Sequence, residues 1–205
     1  MNIFYDKQYC LIWTNREEFI DMKLTETEII AKLNELHDKY KDEEKVPGAR
    51  MVYGQSSWFN DDQTDMLLRG YEALLKNPTV AYVYSPLMNQ YNGDVLSAED
   101  ADYPESYAFE WATKTFEADV TAMKNSDLGV MLNTASAPDS GQAFESGYLY
   151  AQGKPVVSVY EGDLDKYPIN LMISFSSSSY VTSTDELATF DFRSIPMRKF
   201  SEKII

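Results

Sequence analysis

One cysteine, Cys10, and one histidine, His37, occur in the 205 residues, and both fall near the N-terminus. That excludes a disulfide framework, a Cys-rich zinc site, and any Ser-His-Asp or Cys-His arrangement in the rest of the chain. Chemistry there falls to carboxylates. One run carries them at useful spacing: Asp139-Ser-Gly-Gln-Ala-Phe-Glu145-Ser-Gly-Tyr-Leu-Tyr-Ala-Gln-Gly-Lys154. A carboxylate in a partly dry pocket can act as an acid, a base or a nucleophile. A third candidate, Asp119, sits near the end of a helical stripe between Phe116 and Val120, where an acid opposes the helix dipole and faces partial burial. Such local inconsistency points to a site. The plainer readings are that Asp139 caps a helix, that Glu145 faces solvent near the positive end of that helix, and that Asp119 lies on a polar edge.

The flanking segments say where these groups stand. Asp127–Asn133 and Pro155–Tyr160 read as short buried strands. Between them Ala143, Phe144, Gly147, Tyr148 and Ala151 recur at helical spacing, and Gly153 supplies the stop. Strand, helix, strand is a βαβ unit with parallel strands, and ligands in such sheets bind where strands end and helices begin. Ala143 and Gly147, small residues beside Glu145, leave room for a ligand.

The same alternation extends both ways. Arg50–Tyr53 reads as a first strand, followed by a helix opened by Asn60 and stopped near Asn77-Pro78. Thr79–Tyr84 reads as a second strand, with a connection of about twenty residues after it, long for a compact domain and suited to binding. A helix from Glu105 to about Met123 carries the apolar face Phe109, Ala112, Phe116, Val120 and Met123. After the Pro155–Tyr160 strand come a short apolar helix over Pro168–Ile173, a serine run to Ser179, and a last strand at Tyr180–Thr182. The pattern predicts an α/β fold: a flavodoxin-like, doubly wound, five-stranded parallel sheet with an N-terminal helical extension. Residues 1–48 form that extension. Gln8–Trp13 reads as a short strand, and Ile29, Leu33, Leu36 and Tyr40 form one helical stripe opened by a Thr25–Glu28 capping box. Lys41–Gly48 reads as a charged linker, and 49–205 as the main domain.

Eighteen basic residues against 33 acidic give a formal net charge of -15, and 44% of the chain is apolar. A nucleic-acid polymer would be repelled, because such binding depends on Lys and Arg neutralising phosphates. No apolar run approaches a membrane span and no signal-peptide pattern opens the chain, so the expectation is a cytoplasmic globular protein with no membrane partner.

Several of these stretches together resemble the nucleoside 2-deoxyribosyltransferases, in the branch that accepts both purines and pyrimidines. Asp139…Gly141…Glu145-x-Gly147-Tyr148 is similar to the family's active-site helix, and Trp111-Ala-Thr113…Asp119 to the helix that supplies its first active-site Asp. Tyr53…Trp58-Phe59 resembles the strand and loop that line the sugar and base pocket. Asn89-Gln90-Tyr91 with Gly93 resembles the base-contacting loop. Pro168-Ile-Asn170-Leu-Met172 is similar to a segment that reaches the neighbouring subunit's site, where the Asn bonds the sugar and the Met orients the nucleophile. This chain has Gln55-Ser56-Ser57 where the family's first loop is usually glycine-rich, ends in Ile204-Ile205 rather than an aromatic residue, and carries an unfamiliar N-terminal extension.

The resemblance implies transfer of a 2-deoxyribosyl group between purine or pyrimidine bases. Glu145 would be the nucleophile that forms a covalent glycosyl ester, and Asp139 or Asp119 would protonate the departing base. It also implies that deoxynucleosides and free nucleobases are the ligands, that Tyr53 stands near the 2′ carbon, that no metal or organic cofactor is required, and that a homo-oligomer completes its sites across subunits. Two other readings stay open on the sequence. One is a (deoxy)nucleoside or nucleotide N-glycosidase, with Ser56 and Ser57 meeting a 5′-phosphate. The other is a nucleoside-sensing protein without turnover.

Overall fold

A computed structural model describes residues 23–96, 104–198, 200–201 and 204–205. The strand expected at Gln8–Trp13, Cys10, and most of the acidic stretch after Ser97 lie outside the described residues. The element order is α1 (Glu26–Tyr40), β1 (Arg50–Gln55), α2 (Asp61–Lys76), β2 (Val80–Tyr84), α3 (Glu105–Asn125), β3 (Leu128–Thr134), α4 (Ser140–Ala151), β4 (Val156–Glu161), α5 (Leu171–Ser176) and β5 (Ser179–Val181). Short 3-10 turns occupy Pro86–Asn89, Tyr91–Gly93 and Thr184–Ala188.

The five strands pair in the order β2-β1-β3-β4-β5, all parallel. This is the expected doubly wound arrangement. Successive strand residues face opposite sides. Val52, Val130, Leu132, Val157 and Val159 therefore join a core with α1 and α2, while Tyr53, Met131 and Val156 join a second core with Met123 of α3 and Leu149 of α4. Crossing from β1 to both β2 and β3 reverses the winding direction, so the carboxyl edge near β1 and β3 is a topological switch point. Tyr53 is paired in register with Tyr84, and its neighbour Gly54 with Val130. Among the described residues, no helix is long and apolar enough to cross a membrane.

α1 begins as the sequence predicts, with Thr25 and Glu28 closing a capping box. Ile29, Leu33 and Tyr40 are buried, and Ile29 and Leu33 lie in the same cluster as Val52, Leu67 and Leu74. The charged segment after it is held down: Lys45 Nζ donates to the carbonyls of Leu75 (2.6 Å) and Asn77 (3.2 Å), closing the end of α2.

Two expected faces are corrected. On α3 the stripe Phe109, Ala112 and Phe116 points outward, with Phe109 75% and Phe116 56% exposed, and Met123 alone of that stripe is fully buried. On α4 the buried residues are Gln142, Ser146 and Leu149, while Phe144 and Tyr150 are exposed. In both helices much of the expected apolar face lies on the surface of the single chain, and on α4 Gln142 and Ser146 take buried positions beside Leu149. The last helix is also displaced: it spans Leu171–Ser176, so part of the serine run is helical, and β5 begins at Ser179.

Candidate active site

The residues at the switch point form a pair of matched tyrosine–carboxylate contacts. Tyr53 leaves β1 on the α3/α4 side, fully buried, and its hydroxyl donates to Glu145 Oε1 at 2.7 Å. Tyr84 leaves β2 beside it and donates to Asp119 Oδ1 at 3.0 Å. The two rings stack with centroids 5.4 Å apart and planes 14° from parallel. The in-register pairing of β1 and β2 thus brings together an acid from the middle of α4 and one from late in α3.

Burial pushes the Glu145 carboxyl up to about 8; the Tyr53 hydrogen bond opposes this, and the charges of Asp119 and Asp139 add to it. Its second oxygen, Oε2, is buried and has no partner among the described residues. Asp119 is likewise raised by burial, to about 6, with the Tyr84 hydroxyl pulling the other way. Both tyrosines are raised well above the ordinary phenol range, first by burial and then by the neighbouring carboxylates, so each stays a hydrogen-bond donor. The solvent-facing alternative for Glu145 is thereby excluded.

Asp139 is the N-cap of α4: its Oδ2 accepts the backbone N–H of Gln142 at 3.0 Å. The capping role foreseen from sequence is real, and it coexists with Asp139's electrostatic influence on Glu145. Asp139 also lines a cavity of about 850 Å³ with Asn133, Ala143, Gly147, Asn170 and Met172. Glu145 does not line it. At about 100° per residue, Glu145 leaves α4 roughly 200° around from both Ala143 and Gly147. Asn170 and Met172 therefore stand on the far side of α4 from Glu145 of their own chain. Asn170 caps α5, accepting from Met172 N at 2.9 Å, and Met172 is 73% exposed.

The remaining expected residues lie along the same edge. Phe59 is exposed beside Trp58, with ring centroids 5.4 Å apart. The side-chain amides of Asn89 and Gln90 donate to the carbonyls of Ser85 and Pro86, both at 2.8 Å, and so shape their own turn. That turn is tied to α3 through Tyr91 N donating to Thr115 Oγ1 (3.2 Å) and the Tyr91 hydroxyl donating to Glu110 (3.0 Å). Sequence reasoning missed Tyr84. Its register with Tyr53 is a property of strand order, for which no local signal exists.

Known proteins resemble this chain over most of its length. The family model described as "Nucleoside 2-deoxyribosyltransferase" matches residues 52–172. The nucleoside deoxyribosyltransferase of Lactobacillus johnsonii is 35% identical over 139 residues, covering 67% of this chain and 91% of that protein. The nucleoside deoxyribosyltransferase of Lactobacillus leichmannii is 33% identical over 145 residues, covering 70% and 90%. Among solved structures, the 2-deoxyribosyltransferase of the psychrotolerant bacterium Bacillus psychrosaccharolyticus superposes with a TM-score of 0.57 at 26% identity, over 74% of this chain and 99% of that one.

Proposed function

The chain belongs to the nucleoside 2-deoxyribosyltransferase family, and from that premise we propose that Glu145 is the nucleophile in a transfer of 2-deoxyribose between nucleobases. The enzyme is a transferase acting on N-glycosidic bonds. One observation carries the assignment: a buried carboxylate with one oxygen held by Tyr53 and the other free, beside a second carboxyl shifted into the neutral range.

The steps follow from these groups. As the C1′–N bond lengthens, its electron pair moves to the base and positive charge builds at C1′. The free oxygen of ionised Glu145 closes on C1′ and forms a glycosyl ester. The base leaves with a proton. Asp119 supplies it, because its carboxyl is raised toward neutrality while Asp139 is engaged at the start of α4. A second base then attacks C1′, displaces Glu145 and returns a proton to Asp119, so two inversions retain configuration. Tyr53 holds Glu145 and, close to the sugar, disfavours a 2′-hydroxyl that would need both room and a partner. Phe59, Asn89 and Gln90 frame the base. Asn170 and Met172, turned away from their own Glu145, serve a neighbouring subunit, which makes the working enzyme a homo-oligomer. Its ligands are deoxynucleosides and free bases in the cytoplasm.

Incubating the protein with 2′-deoxyinosine and free adenine or cytosine, with product separation by chromatography, tests the reading. The expected result is the new deoxynucleoside, absent with Glu145→Ala. Release of hypoxanthine and deoxyribose without exchange would instead identify a hydrolase, and exchange by Glu145→Ala would remove Glu145 as nucleophile.

A further inference from the structure

The sheet-facing side of the nucleophile's helix is polar, contrary to its apolar pattern. Gln142 and Ser146, one turn apart on α4, are each 1% exposed, and Gln55 at the end of β1 is 0% exposed. Gln142 Nε2 donates to the carbonyls of Gln55 (3.1 Å) and Leu132 (2.9 Å). Ser146 Oγ donates to Gln55 Oε1 at 2.6 Å, with Met131 Sδ at 3.4 Å. β3 makes room for this cluster. A Cβ on Gly129 would stand 2.4 Å from Gln55 Nε2 and 2.5 Å from Leu149 Cδ1.

Polar groups in such a seam are costly, and here Gln55 Nε2 and Gln142 Oε1 remain buried without partners among the described residues. Apolar residues would bury α4 more cheaply but would leave it free to slide and roll by fractions of an ångström, since apolar contact is non-directional. Hydrogen bonds fix direction as well as distance. Gln142 precedes Glu145 by one turn, Ser146 follows it directly, and Gln55 stands two residues beyond Tyr53. The network therefore cross-links the two elements whose side chains meet in the Tyr53–Glu145 hydrogen bond.

We propose that Gln55, Gln142 and Ser146 are positioning residues that set the height and rotation of α4 so that Glu145 meets Tyr53 in reactive geometry. The proposal rests on the reading of Glu145 as nucleophile. The small variant Ser146→Ala and the shape-conserving Gln142→Leu test it. Both are expected to fold, with thermal midpoints below the parent's because buried acceptors on Gln55 and Leu132 lose a donor, and to lower kcat by about tenfold to a hundredfold, as misplacement of a reacting group does. KM for the deoxynucleoside stays close to the parent's, and the upper limb of the pH–rate profile moves to higher pH as the Tyr53 contact weakens. In a Tyr53→Phe background Ser146→Ala then adds little, because its effect travels through that contact. Parent-like kcat and pH profile in both folded variants, or full additivity with Tyr53→Phe, overturns the proposal. Transfer by Glu145→Ala, measured in parallel, would separately overturn the nucleophile assignment.

Discussion

In the proposed mechanism Glu145 must be ionised when it attacks the anomeric carbon, and burial raises it to about 8. On the same proposal Asp119, raised to about 6, would hold the proton when the base departs. The productive form therefore has the proton on the group with the lower value. Such a pair gives a bell-shaped kcat/KM profile with limbs near 6 and 8 that belong to the pair rather than to either residue. Tyr53 is the lever on the upper limb, because its hydrogen bond favours the ionised Glu145. Tyr53→Phe should shift that limb to higher pH and lower kcat/KM at neutral pH by about tenfold to a hundredfold, the equivalent of about 1.5–3 kcal/mol for a hydrogen bond to a charged group. Rates across pH 5–10 check this, and an unmoved limb would detach Tyr53 from the titration of Glu145.

At the scale of elements, α1 and α4 carry opposite lessons. α1 lies before the region matched by the family model, residues 52–172, yet it is built into the fold. Leu33 is fully buried in the cluster that also holds Leu67 and Leu74 of α2 and Leu87 of the Pro86–Asn89 turn. Leu33→Ala should cost about 2–5 kcal/mol, as other buried leucine truncations do, in a single cooperative denaturant transition. A loss below 1 kcal/mol, or a separate early transition, would make α1 an appendage instead. Its capping box and stripe were legible in the sequence because they are local and match the helical period. The orientation of α4 was not. Its small and aromatic residues also repeat with that period, and only contact with β1 and β3 turns the polar side inward.

The whole molecule leaves an unusual amount of aromatic and apolar surface on α3, α4 and α5. Phe109, Phe116, Phe144, Tyr150, Met172 and Phe175 are each at least half exposed. Phe116 and Phe144 sit 6.0 Å apart between centroids, so the patch is continuous across two helices. If subunits exchange Asn170 and Met172 across such a face, inactive Glu145→Ala and inactive Asn170→Ala should complement each other on co-expression. In a two-fold pair one of the two sites in each mixed dimer is intact, so random pairing restores about a quarter of parental activity. Failure to recover activity in isolated mixed oligomers would mean that each site is complete within one protomer.

The sequence by itself determined the alternation of strands and helices and the parallel sheet, and its single His and Cys pointed any chemistry towards carboxylates. Those features follow from periodicity, end signals and side-chain inventory, which short stretches of chain carry in full. It also singled out Asp119 as an acid set into an apolar stripe, and Asp139 and Glu145 by their place at a strand–helix junction and by the run that carries the family resemblance. Tertiary structure alone decided that Tyr84 joins Asp119, that Tyr53 holds Glu145, and that Asn170 and Met172 turn away from their own Glu145. It also decided that α4 is anchored by Gln55, Gln142 and Ser146. These are consequences of strand order, register and helix rotation. They depend on contacts between residues tens of positions apart, whose pairing has no trace in either segment read separately.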